Sequence, residues 1–187
     1  MASAGFDSIA EQLVRLLKER SMHIAAAESC TAGLLAGIIG RIPGASACFW
    51  GSFVCYTNQA KKIMLGIKEE LLSEYGAVSE ETAKAMALGA LEKSGVDLSV
   101  SITGLAGPGG LAGPGGLAGP SGFAGPGSDG LEPPLGTVWI ATALRSVGSE
   151  DIEAVKYHFS GGRNSIRDQA AGKALEQIII RLNRIIR

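Results

Sequence analysis

The stretch HIAAAESCTAGLLAGIIG, residues 23–40, changes character halfway along. Residues 23–27 are a short apolar run of strand length, and residues 30–40 are small and apolar at helical spacing. A buried strand running directly into a helix is the opening of an α/β unit. Upstream, Ile9, Leu13, Leu16 and Leu17 share one face of a helix expected over 8–20, and Ser8 with Glu11 fits a capping box. Downstream, Pro43-Gly44 marks a turn, and Cys48 to Tyr56 (CFWGSFVCY) reads as a buried strand. A short acidic helix over 68–75 and a longer one over about 80–94, capped by Ser79, lead to a strand over 97–103. Residues 136–146 and 152–159 form two strands with a short turn between them, an antiparallel hairpin. A last helix over about 163–186 carries Ile166, Ala170, Ala174, Ile178, Leu182 and Ile185 along one stripe. The predicted fold is α/β: a three-layer α/β/α sandwich with a mixed, mostly parallel sheet.

At 187 residues and 46% hydrophobic content, the chain suits one domain over 1–187 with a full core. Seventeen Lys and Arg against 18 Asp and Glu leave no bulk attraction for nucleic acid or an anionic membrane. No apolar run approaches the ~20 residues of a membrane span, and the N-terminus lacks an apolar signal-peptide core. The three cysteines, Cys30, Cys48 and Cys55, form no CxxC pair and suit reduced thiols in the cytoplasm. A metal site is not expected: His23 and His158 lie alone in apparent strands, and no HxH, HExxH or Cys/His cluster occurs.

Four segments can carry chemistry. Glu28-Ser29-Cys30-Thr31-Ala32-Gly33 sits between strand and helix, where open α/β sheets bind ligands. Ser29 is either a helix cap or a nucleophile with oxyanion donors close by. Tyr56-Thr57-Asn58-Gln59-Ala60-Lys61 follows the second strand. Lys61 is either a surface charge or, if burial lowers its pKa, a base in place of histidine, with Tyr56 able to relay a proton and Lys62 solvated. Thr103 and the glycines after it form either a flexible loop or a backbone cradle for phosphate. Arg163, at the start of the last helix, is either exposed or a bidentate clamp for an anion; Arg181, Arg184 and Arg187 read as a solvated face.

Together AESCTAGLLAG (27–37), IPGASACFWGSFVCYTNQAKKIMLG (42–66), YGAVSEETAKAMA (75–87), SITGLAGPGG (101–110), PLGTVWIA (134–141) and FSGGRNSIRDQA (159–170) resemble the CinA C-terminal domain family in its stand-alone form. Its active members are nicotinamide-nucleotide amidases. The resemblance implies conversion of nicotinamide mononucleotide to nicotinate mononucleotide and ammonia without a metal or cofactor. It implies Ser29 as nucleophile, Lys61 as general base and Tyr56 as a partner in proton transfer. Thr103, Gly104, Gly107 and Gly109 are implied in substrate binding, with Arg163 near the phosphate and Cys30 and Thr31 at the helix start. The expected partners are the small-molecule substrate and a homo-oligomer. A competing enzyme reading makes Cys30 the nucleophile.

One segment departs from the family's pattern. Residues 104–127 repeat a six-residue unit four times, GLAGPG GLAGPG GLAGPS GFAGPG, with glycine at every third position for eight triplets. The first copy matches the family motif and the rest look like its tandem expansion, an insertion over about 110–130. The alternative function is a weak or inactive homologue that assembles through these Gly-X-Y-like triplets.

Overall fold

A computed structural model describes residues 5–107, 133–146 and 149–185. Gly109, Arg187 and the repeat beyond Gly107 lie outside the described residues. The elements are α1 (Asp7–Glu19), β1 (Ile24–Glu28), α2 (Leu34–Gly40), β2 (Phe49–Val54), α3 (Asn58–Leu65), α4 (Glu69–Tyr75), α5 (Glu80–Ser94), β3 (Leu98–Gly104), β4 (Thr137–Ser146), β5 (Ser149–His158) and α6 (Arg163–Arg184).

The strands form one sheet in the order β2-β1-β3-β4-β5. β1 is parallel to β2 and β3, while β4 is antiparallel to β3 and β5. Four of the five described strands therefore point the same way, and β4 alone is reversed. The α/β class and the mixed, largely parallel sheet are as expected.

Strand alternation sorts the helices into two outer layers. On β1, β3 and β4, Ile24, Ala26, Leu98, Val100, Ile102, Val138 and Ile140 face a core built with α1, α2 and α6. Ala25, Ala27, Ala141 and Ala143 face the opposite layer, where α5 packs with α3 and α4. That face is lined with small residues, so α5 lies close. Ser99 and Ser101 donate to the carbonyls of Ala87 and Ala83 at 2.6 Å each. Each fully buried Leu or Ile on the other face contributes ~1.5–3 kcal/mol of transfer free energy.

Four expectations need correction. The helix expected over 30–40 starts only at Leu34, because residues 29–33 form a turn, with Ala32 at φ 50° and Gly33 at φ 88°. The Ser8–Glu11 capping box does not form at the start of α1, because Phe6 takes the N-cap position. The Phe6 ring packs over Gly172 of α6, which sets where the helix begins. The strand expected to be buried over 48–56 is the edge strand β2, with Trp50 53% exposed. A bulge between its pairings Ile24↔Phe49 and Ala25↔Gly51 leaves Trp50 stacked on Phe53, ring centroids 5.1 Å apart. Finally, Arg181 is not solvated. It is buried between Asp151 and Glu153 of β5, with both carboxylate contacts at 2.6 Å. Arg184 does lie exposed, paired with Glu153.

Candidate active site

The C-terminal ends of β1, β2, β3 and β5 lie along one edge of the sheet, and β4 begins there. Chain leaving β1 goes to β2 on one side and chain leaving β2 crosses to β3 on the other, the arrangement that opens a crevice at strand ends. Ser29, Tyr56, Thr103 and Arg163 all fall at or just beyond these ends.

Ser29 is placed by strand periodicity. Ile24 and Ala26 face α2, so Glu28 does too, and Ser29 turns to the opposite layer. Its amide donates to the Ile102 carbonyl of β3 at 2.9 Å, which prolongs the sheet pairing by one residue. In that layer stands Lys61, on α3. The helix is started by Thr57, whose hydroxyl accepts from the Ala60 amide at 3.1 Å, and it directs Lys61 inward. Lys61 is 1% exposed, and its Nζ lies 3.1 Å from Ser29 Oγ, across 32 positions of sequence. Burial lowers its pKa from 10.5 to about 8, against an opposing pull from Cys55 and Cys30. Neighbouring Lys62 is solvated and pairs with Glu69.

Burial pushes the Cys30 thiol up to about 12, and it packs in the core with α2. A thiol so placed holds few thiolate anions at neutral pH. Cys55, beneath Lys61, is raised by burial to about 11. Thr31 is fully buried, and its hydroxyl oxygen has no partner among the described residues.

The Tyr56 hydroxyl accepts a hydrogen bond from Arg163 Nη2. Both residues are exposed, and no hydrogen bond among the described residues joins either to Ser29 or Lys61. A Cβ on Gly107 would lie 3.1 Å from Arg163 Nη1, so the glycine lets the guanidinium lie across the loop. Thr103 is buried and donates to the Ala77 carbonyl at 2.6 Å, tying β3 to the entry of α5. Gly104 makes room for strand pairing, since a Cβ there would lie 2.6 Å from a Val138 methyl. His23 pairs with Asp97 at 3.6 Å, and His158 ends edge strand β5; neither meets Ser29.

Two further residues converge on the same turn, and sequence reading did not single them out. The fully buried Glu28 carboxylate accepts from the amides of Gly33, Leu35 and Ala36 and from the Ser52 hydroxyl. Arg167 donates to the Thr31 carbonyl at 2.8 Å. A lone carboxylate ending the run IAAAE, and an arginine one turn after Arg163, were the available signals.

The family model described as the CinA C-terminal domain matches residues 6–118 and 116–182, two stretches that meet inside the glycine repeat. The chain belongs to the CinA C-terminal domain family. CinA-like proteins of Geobacter metallireducens and Chlorobaculum tepidum are 43% and 38% identical over 176 residues, 94% of this chain. The chain spans 37% of the length of those relatives. Among solved structures, the competence/damage inducible protein CihA of Agrobacterium tumefaciens is 35% identical, with a TM-score of 0.77 over 96% of both chains. Among the described residues of this CinA domain, no helix is long and apolar enough to cross a membrane. Nor is there a group of three or more His, Cys, Asp or Glu side chains that could hold a metal ion.

Proposed function

We propose that this chain is an amidohydrolase that deamidates nicotinamide mononucleotide, with Ser29 as nucleophile and Lys61 as general base. The observation that carries the mechanism is the buried contact between Ser29 Oγ and Lys61 Nζ at 3.1 Å. The substrate rests on the family resemblance.

Neutral Lys61 takes the Ser29 proton directly as Oγ attacks the carboxamide carbon. The amides of Ala32, Gly33, Leu34, Leu35 and Ala36 are already bonded within the turn or to Glu28. The Cys30 amide faces its own thiol; among the described residues the Thr31 amide has no such bond and is the proposed oxyanion donor, worth ~10²–10³ in rate. Protonated Lys61 returns its proton to the leaving nitrogen as the C–N bond breaks and ammonia departs. Water, activated by the again neutral lysine, then releases the carboxylate from Ser29. Arg163, steadied by Tyr56, binds the phosphate, and this orients the carboxamide. No step uses a metal.

Ammonia release from nicotinamide mononucleotide tests this reading. Activity is expected to persist in EDTA and to fall by ~10²–10⁴ in both Ser29→Ala and Lys61→Ala. Undiminished activity in Ser29→Ala would overturn it and move the nucleophile to Cys30.

A further inference from the structure

The turn that carries Ser29 is conformationally unfavourable, yet tightly held. Ala32, a residue with a Cβ, sits at φ 50°, followed by Gly33 at φ 88°. Backbone in this region persists only where its surroundings over-determine it. Two local bonds close the turn from within: Ala32 amide to Ser29 carbonyl at 3.1 Å, and Leu34 amide to Thr31 carbonyl at 3.2 Å.

Two charged side chains hold it from outside. Glu28 Oε2 accepts from Gly33 and Leu35 amides at 3.0 and 3.1 Å, and Oε1 from the Ala36 amide at 2.9 Å and the Ser52 hydroxyl at 3.0 Å. This fastens the far end of the turn, and the start of α2, to the residue immediately before Ser29. On the near side, α6 brings Arg167 against the turn, and its Nη2 donates to the Thr31 carbonyl at 2.8 Å. With that carbonyl drawn towards α6, the Thr31–Ala32 peptide plane is held, and its amide is the one that donates to the Ser29 carbonyl. We propose that Glu28 and Arg167 are positioning residues for the nucleophile. From opposite ends they hold the 29–33 turn, and through the Ala32–Ser29 bond the Ser29 backbone, so that Ser29 Oγ meets Lys61. This rests on Ser29 being the nucleophile.

The chemistry of Glu28 makes the claim specific. A carboxylate presents only acceptors to its three amides and one hydroxyl. Glutamine would turn an NH₂ group towards donors on one side, so Glu28→Gln keeps the volume and breaks the clamp. Arg167→Met removes the bond to Thr31, and Arg167→Lys restores one donor.

The test uses a fluorophosphonate on the full chain. Ser29 Oγ bonds to phosphorus, fluoride leaves, and the serine proton passes to Lys61; intact-protein mass counts labelled chains. Wild type should label once, at Ser29, and Ser29→Ala not at all. Glu28→Gln and Arg167→Met should label about 10- to 100-fold more slowly, the penalty of a misplaced reacting group. The rate should still follow an apparent pKa of about 8, since Lys61 is untouched. Arg167→Lys should recover part of the rate. A merely structural role would lower the labelled fraction and leave its rate constant unchanged, and that result overturns the proposal. If Glu28→Gln does not fold, Ser52→Ala, which removes one of the four bonds, must slow labelling to a lesser degree; an unchanged rate constant would count equally against it. An unlabelled wild type removes the serine mechanism itself, a failure distinct from that of the clamp.

Discussion

Lys61 shows how a site can work against the fold that contains it. Its pKa falls from 10.5 to about 8, because burial strips water from the ammonium. Between those values the unfolded chain binds the proton more tightly, so stability rises with pH across that window. Below pH about 8 the folded protein carries the whole penalty, about 3 kcal/mol. Lys61→Met keeps the apolar stem and removes the charge. It is expected to be inactive, yet more stable than wild type at pH 7 by up to about 3 kcal/mol. Urea midpoints at a series of pH values would show the gap closing as pH rises through that window; no gap at pH 7 would refute it. On the proposed mechanism the same titration sets activity: kcat/KM should climb with pH and level off above about 8, as Lys61 becomes neutral. At this scale, position beyond strand ends made Ser29, Lys61, Tyr56 and Arg163 candidates with a plainer reading open beside each, and only the family resemblance implied roles for them. Glu28 and Arg167 were not among them, because their partners are mostly backbone groups, which carry no mark of residue type.

At the level of elements, two contacts can be tested. Gly136, where the chain enters β4, has φ 93°, and an added Cβ would lie 2.0 Å from the Phe159 carbonyl oxygen. Backbone cannot yield as a flexible side chain does. Gly136→Ala combines strain with overpacking, and should lower stability by about 2–5 kcal/mol in chemical denaturation. The buried Arg181 joins α6 to β5 through Asp151 and Glu153, whose side chains are themselves about half exposed. Removing the cation returns those carboxylates to water, whereas removing both carboxylates strands a buried guanidinium. Arg181→Met should therefore stay within about 1 kcal/mol of wild type, while the double variant Asp151→Ala/Glu153→Ala should lose about 3 kcal/mol. Equal losses in a denaturation series would disprove the asymmetry. The Ser79 cap predicted α5 and a helical stripe predicted α6, since a cap and a 3.6-residue stripe are both local properties. The solvated reading of Arg181 failed because its burial depends on β5, which is 30 positions away at Asp151.

For the whole molecule, the glycine repeat can be separated from the fold. β3 and β4 are joined at the site edge by the Gly104↔Val138 pairing and by exchanged bonds between Leu105 and the Gly136–Thr137 segment. Any chain between these points closes the same loop. Closure entropy varies only with the logarithm of length, so deleting residues 110–127 should change stability by less than about 1 kcal/mol. Thermal melting of the shortened chain checks this. Sedimentation of the same pair bears on function: a trimer that falls apart on deletion would favour assembly through the Gly-X-Y-like triplets over the amidase reading.

Local chemistry determined much of this protein. Alternating apolar residues, turn residues and a helical stripe were enough to place the strands and most helices and to specify an α/β sandwich, because each depends on neighbours within a few positions. Sheet order, the edge position of β2 and the burial of Arg181 were decided only by tertiary structure, since each depends on what packs from far along the chain. The same holds for the central contact of the site. A serine and a lysine 32 positions apart face each other only because β1 and α3 meet in one layer. The pKa that suits Lys61 to the role of base arises from the burial which that meeting imposes.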